Sequence, residues 1–363
     1  MPRLPPSVFW RARREISPMA AQLLPACRDL ESAANELRWI RQHVRDTRSP
    51  IPPELRIWKL VEKRGRGVPL QYVLGTQPFG DLEIKCKPGV LIPRPETEAY
   101  TLYLASLLCK DQALSTTPPP SLSILDLCTG TACIPLLLLH ALQRYPSLSQ
   151  TSLYAHGIDI SRHAVRLARL NQAHNNHLLS APSSSSISNH VDNNPKLNFT
   201  QASIFSPNLL PILQSHSPQW DVLTCNPPYI SASGFRRDTA RAVRNYEPRL
   251  ALIPDAQLAG LASQCKCQPE DVFYARVLEM AAVLQPRRVV LEVGGWAQAL
   301  RVVDMLSEEL MALYRTVEIW RDEPGAGEGR KREVVEFGGR EVRVRGEGMG
   351  RVVYLYQGTE EGG

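Results

Sequence analysis

The stretch Leu125–Ile134, "LDLCTGTACI", decides the fold. A short apolar run stops at a turn of small residues, and a leucine-rich helical pattern follows from Ile134. In an open α/β sheet, ligands bind beyond the carboxyl ends of the strands, where such a turn leads into a helix. Gly130, between Thr129, Thr131 and Ala132, lets the backbone come close to a ligand. An ordinary strand–helix turn would use the same residues. A phosphate loop is excluded, because no Gly-Lys-Ser/Thr follows.

Working outward, short apolar strands alternate with helical patterns. The expected strands are Ser123–Leu127, Tyr154–Ile160, Asp221–Cys225 and Arg288–Val293, with helices at Ile134–Gln143, Ser161–Asn175 and Asp271–Leu284. That alternation argues a doubly wound, largely parallel sheet. Two segments interrupt it. Residues 180–196, "SAPSSSSISNHVDNNPK", are polar and of low complexity, which predicts a disordered insertion. Residues 323–350, rich in Gly, Arg and Glu, predict a mobile hairpin loop before a last strand at Arg351–Tyr356. With 121–363 forming this unit, the rest divides into a possible targeting segment (1–18), a small helical domain (19–75) and a strand-rich connector with a linker (76–120). In the helical domain, Leu30, Ala34, Leu37, Ile40 and Val44 recur at steps of three and four. A second helix is expected across "PPELRIWKLVEKRGRG".

Composition narrows the class only modestly. The 363 residues are 43% hydrophobic, with 42 Lys plus Arg against 36 Asp plus Glu, a mild basic excess. No apolar run reaches the roughly 20 residues of a membrane span. The eight cysteines form no C-x-x-C pair, which argues against a zinc site or a disulfide framework. The first fourteen residues hold four arginines and no acid, a composition that suits a mitochondrial transit peptide.

Two further strand ends carry chemistry. "YAHGIDIS" puts Asp159 at a strand tip, where an acid accepts the hydroxyls of a ribose; its position also permits a helix cap. "DVLTCNPPYI" ends a strand on Asn226, Pro227, Pro228 and Tyr229. Two prolines cannot continue a central strand. They would hold the Asn226 amide oxygen and the Pro227 carbonyl rigidly as acceptors for both hydrogens of a planar –NH₂ group, with the Tyr229 ring stacked on it. A rigid turn capped by a packing aromatic is the alternative.

"NPPY" after "DLCTGTAC" and "GIDIS" resembles the S-adenosylmethionine-dependent amino-methyltransferases. With "PLQYVLG", "FGDLEIKCKPGVLIPRPETE", "YEPRLAL" and "LEVGGWAQAL" in the right order, the chain resembles the HemK/PrmC family of protein-(glutamine-N5) methyltransferases, over about residues 20–320 and the final strand. The resemblance implies an α/β fold with a seven-stranded Rossmann-like methyltransferase sheet, its last strand antiparallel, and a helical domain that grips a peptide chain release factor. It implies S-adenosyl-L-methionine as cofactor, held by Asp126, Cys128, Thr129, Gly130, Thr131, Ala132, Asp159, Ile204 and Asn226, and a target glutamine held by Asn226, Pro227, Pro228 and Tyr229. No metal, membrane or nucleic acid is required, and a monomer is expected. The helical domain resembles the bacterial and organellar branch, which points to a mitochondrial enzyme. Cys128 and Ala132 replace family glycines, and Ser203 stands where an acid is usual. Those departures imply a tighter loop or weaker cofactor binding, and they keep open a catalytically inactive ribosome-associated scaffold. A DNA or RNA amino-methyltransferase using the same turn is the other alternative.

Overall fold

The computed structural model describes residues 4–114, 119–179, 194–217, 219–327 and 333–358. Its strands are β1 (Thr76–Phe79), β2 (Leu82–Lys85), β3 (Ser121–Leu127), β4 (Ser152–Asp159), β5 (Lys196–Gln201), β6 (Val222–Cys225), β7 (Arg288–Glu292), β8 (Thr316–Glu323), β9 (Glu333–Phe337), β10 (Arg340–Arg345) and β11 (Glu347–Tyr356). β1 and β2 form a separate hairpin, and the other nine make one sheet in the order β5-β4-β3-β6-β7-β11-β8-β10-β9. β3 pairs in parallel with β4 and β6, and β6 with β7. β11 runs antiparallel to both β7 and β8. The parallel strands are nearly all buried, as a sheet covered on both faces requires.

One face packs under the helices Pro95–Leu114 and Cys133–Gln143, the other under Val272–Leu284 and Trp296–Asp304. The four strands expected from sequence form within two residues of the expected bounds, and so do the three helices between them. The core of alternating strands and helices is therefore legible from the residues alone.

Four expectations change. The seven strands that the resemblance implies are present as β3–β8 and β11, with β11 antiparallel, and the expected hairpin at residues 333–345 pairs onto β8 and extends the sheet to nine. Gly338 and Gly339 both take positive φ (58° and 74°), the backbone a tight two-residue hairpin needs. Val342 and Val344 are buried on one side of β10, and Arg345 bonds the buried Glu318 carboxylate at 2.8 Å. The last strand accordingly begins at Glu347, earlier than the expected Arg351. At Gly346 (φ 81°) an added Cβ would lie 2.1 Å from the Glu323 carbonyl oxygen, so only glycine closes that turn.

The connector carries a 20-residue helix, Pro95–Leu114, as well as the β1–β2 hairpin. Tyr100, Tyr103, Leu104, Leu107 and Leu108 repeat at helical spacing and are buried, a signal masked by the prolines just before it. The Leu30–Val44 recurrence forms the helix Leu30–Asp46, and a separate helix, Pro18–Cys27, precedes it. Arg28 leaves the first in the left-handed region (φ 75°), and Asp29 caps the second by accepting the Ser32 N–H at 2.7 Å. β5 completes one edge and was not expected.

The helices around residues 18–65 share a hydrophobic cluster of their own. Ala12 is buried in it, and Val8 and Phe9 pack against it. No helix among the described residues is long and apolar enough to cross a membrane. Most of the serine-rich insertion, residues 180–193, lies outside the described residues.

Candidate active site

The carboxyl ends of β3, β4, β6 and β7 open on one side of the sheet and deliver the Cys128–Ala132 turn, Asp159, Asn226 and Glu292. Two cavities meet there. One, about 330 Å³, is lined by Cys128, Thr129, Gly130, Thr131, Asp159, Ile204, Phe205, Asn226 and Pro228 among others. The second, about 640 Å³, is lined by Tyr229, Glu292, Trp296 and Gln298 among others. Leu91, Arg94, Asn226 and Ala251 line both.

The turn after β3 holds three residues in the left-handed region, of which one is a glycine. Cys128 (φ 60°), Gly130 (φ 55°) and Ala132 (φ 63°) are all left-handed, a region that costs a residue with a Cβ roughly 1–2 kcal/mol. The Thr129 N–H bonds the Ile158 carbonyl at 3.0 Å and the Ala132 N–H bonds Thr129 at 2.8 Å, which locks the turn to β4. Ala132 is wholly buried and shapes the turn from below.

Asp159 does two backbone tasks at once. Its Oδ2 accepts the Gly130 N–H at 2.9 Å and its Oδ1 the Ser161 N–H at 2.8 Å. The cap of the next helix is Ser161, whose hydroxyl accepts the Ala164 N–H at 3.3 Å. Asp159 is therefore not merely a helix cap; it faces the smaller cavity. Burial raises its pKa, opposed by the two backbone N–H groups.

Asp126 lies one layer down, 1% exposed, and outside the lining of both cavities. Thr224 donates to its Oδ1 at 2.6 Å, while Oδ2 makes no hydrogen bond of good geometry. Burial pushes its pKa up to about 7, against the pull of the nearby Thr129 and Thr224 hydroxyls. Ile204 and Ser203 line the far wall, the Ser203 hydroxyl accepting the Phe205 N–H at 3.2 Å, so the loop closes there without an acid.

The pairing of Cys225 with Leu291 brings the next residues of β6 and β7, Asn226 and Glu292, side by side. Asn226 donates through Nδ2 to Glu292 Oε2 at 2.8 Å, and the Tyr229 hydroxyl donates to Oε1 at 3.2 Å. Thr97, from the "IPRPETE" block, donates to Oε2 at 2.7 Å. Among the described residues nothing donates to Asn226 Oδ1, and that residue faces both cavities. Pro227 is buried, and Pro228 faces the smaller cavity. Sequence reasoning assigned nothing to Thr97 or Glu292. Their only signal was membership of two quoted motifs.

An adenosine-type ligand fits the smaller cavity on this chain's own features: a close-approach turn at Gly130, an acid facing in at Asp159, and apolar walls at Ile204 and Phe205.

Sequence relatives give the family. The chain is 35% identical over 257 residues to the mitochondrial MRF1 N(5)-glutamine methyltransferase MTQ1 of Saccharomyces cerevisiae, covering 71% of this chain and 70% of that one. It is 30% identical over 272 residues to the release factor glutamine methyltransferase of Thermodesulfovibrio yellowstonii, covering 74% and 77%. The chain belongs to the release factor glutamine methyltransferase family. A probable MRF1 mitochondrial N(5)-glutamine methyltransferase of Schizosaccharomyces pombe is 34% identical over 260 residues, covering 69% of this chain and 73% of that one. No family model matches. Within this methyltransferase, Cys128 and Ala132 take left-handed backbone at the two positions where the sequence resemblance expects glycine.

Proposed function

We propose that this methyltransferase transfers the methyl group of S-adenosyl-L-methionine to the side-chain amide nitrogen of a glutamine in a mitochondrial peptide chain release factor. The observation that carries the reading is the meeting of the two cavities at Asn226, whose amide oxygen accepts no hydrogen bond from the described residues. Arginine-rich residues 1–14 and the mitochondrial relatives support the compartment.

The smaller cavity holds the cofactor, with Asp159 at the ribose, Ile204 against the adenine and the Cys128–Ala132 turn beneath the amino-acid end. S-adenosylmethionine supplies, when bound, a methyl group made electrophilic by a sulfonium. The larger cavity admits the glutamine. An amide nitrogen is a poor nucleophile because its lone pair is delocalised into the carbonyl. Asn226 Oδ1 and the Pro227 carbonyl accept its two hydrogens, fix its plane and draw electron density onto nitrogen. The Tyr229 ring packs on the amide face. Pro227 and Pro228 hold these acceptors without reorganisation, so orientation and fixed dipoles supply most of the acceleration. As the nitrogen–methyl bond forms, the methyl–sulfur bond would break with its electron pair left on sulfur, and the amide nitrogen would lose one proton to solvent.

The test is calorimetric titration with S-adenosylmethionine, then methyl-group incorporation into release factor or into DNA and RNA. Cofactor binding with label only in the release factor supports the reading. Label in nucleic acid overturns the substrate, and a failure to bind the cofactor overturns the activity.

A further inference from the structure

We infer that Glu292 is a positioning residue: its carboxylate sets which end of the Asn226 amide faces the glutamine. The inference deepens the proposed glutamine methylation and rests on it.

The two ends of an asparagine amide are nearly isosteric, so a turn that must present oxygen needs something to choose the flip. A carboxylate accepts only, and Glu292 Oε2 lies 2.8 Å from Asn226 Nδ2. With the N–H₂ committed there, Oδ1 is the atom left for the cavity. A reversed amide would set its own N–H₂ against the –NH₂ of the target, donor against donor.

Glu292 is built for this task. It is 1% exposed at the end of a central strand, and among the described residues its side-chain donors include Thr97 from the helix Pro95–Leu114, and Asn226 and Tyr229 from the turn after β6. The Tyr274 hydroxyl holds its backbone carbonyl at 2.7 Å, which fixes the main chain beneath. Its titratable and charged surroundings are Tyr100, Tyr229, Tyr274, the Cys133 and Cys225 thiols and, from β11, Arg351. Arg351 is engaged by Asp322 at 2.9 Å, so neutral donors and not a direct ion pair hold the Glu292 carboxylate. Burial raises its pKa, and the hydroxyl donors and Arg351 hold it down.

An exchange of the two groups tests this. Glu292→Gln removes the acceptor-only partner, and Asn226→Asp places two carboxylates together. In the double variant, the amide introduced at position 292 donates to the carboxylate introduced at position 226, whose other oxygen faces the target. We expect each single change to lower kcat for release factor about 30-fold or more, with the S-adenosylmethionine Kd moving about threefold or less. The double variant should recover to within about tenfold of wild type. A general-base role, or a merely structural one, predicts no recovery, and a double variant no better than the worse single overturns the inference. Thermal unfolding of the same four proteins reads the pair without substrate. Mutual rescue of Tm supports the pairing even if the wild type methylates no release factor, an outcome that would sink the proposed function alone. Additive Tm losses overturn the pairing whatever the activity.

Discussion

Asp159 Oδ2 accepts the backbone N–H of Gly130 at 2.9 Å, so the acid at the tip of β4 holds the turn after β3 in shape while facing the cavity that turn lines. Asp159→Ala should therefore act twice. It should lower stability by about 1–3 kcal/mol, the cost of leaving buried donors without acceptors, and weaken S-adenosylmethionine binding by a similar amount. Calorimetry beside thermal unfolding separates the two. Affinity within twofold of wild type, with stability lost, would mean that the residue only braces the turn.

Cys128 and Ala132 occupy left-handed backbone positions that glycine takes without cost. Cys128 is half-buried, so little packing is lost on truncation. Cys128→Gly is expected to raise stability by about 1 kcal/mol, read as an increase in Tm, and to leave cofactor affinity the same or improved. A lower Tm would show that the thiol contributes packing worth more than the strain.

Asp126 supplies the pH signature. Its pKa is raised from 3.8 to about 7 by burial, so the folded state binds the proton more tightly than the unfolded chain. Its contribution is fully present below about 3.8 and is lost as pH rises toward 7. Asp126→Asn removes that slope. The Tm difference between variant and wild type should shift in favour of the variant as pH goes from 4 to 8, in the absence of cofactor. Parallel curves would mean that the Asp126 carboxyl titrates alike in folded and unfolded chains.

Tyr229 separates ring from hydroxyl. Stacking needs the ring and not the hydroxyl, so Tyr229→Phe is expected to be mild, yet the hydroxyl also donates to Glu292 at 3.2 Å. Phe should cost roughly 1 kcal/mol of stability and a few-fold in kcat, whereas Ala, which removes the stacking face, should cost about 10²-fold. Steady-state rates at saturating cofactor and release factor decide it. Equal damage from both would give the hydroxyl a chemical role.

Much of this was legible from the residues, for identifiable reasons. Strand–turn–helix periodicity marks β3, β4, β6 and β7, and the Asn-Pro-Pro-Tyr turn can hardly be anything but the end of a strand. Glu292 was not legible. A carboxylate at the end of an apolar strand reads the same whether it faces solvent or receives donors from residues 63 to 195 positions away. The helix Pro95–Leu114 was hidden because two prolines and the strand-like segment before it dominate the local pattern, while its buried stripe begins only at Tyr100. The hairpin expected near 333–345 gave no sign of joining the sheet, because charge dominates it and its few valines matter only once β8 offers an edge.

The central claim is that Asn226 presents an amide oxygen to a glutamine of the release factor. The most direct measurement is peptide mass mapping of a mitochondrial release factor after incubation with S-adenosylmethionine and either wild type or Asn226→Ala. Wild type should add one methyl group to one glutamine, and Asn226→Ala should slow that addition about 10²-fold or more, with a smaller loss of cofactor affinity. Methylation by Asn226→Ala at a near-normal rate, or a release factor left unmodified by a wild-type protein that binds the cofactor, would contradict the account.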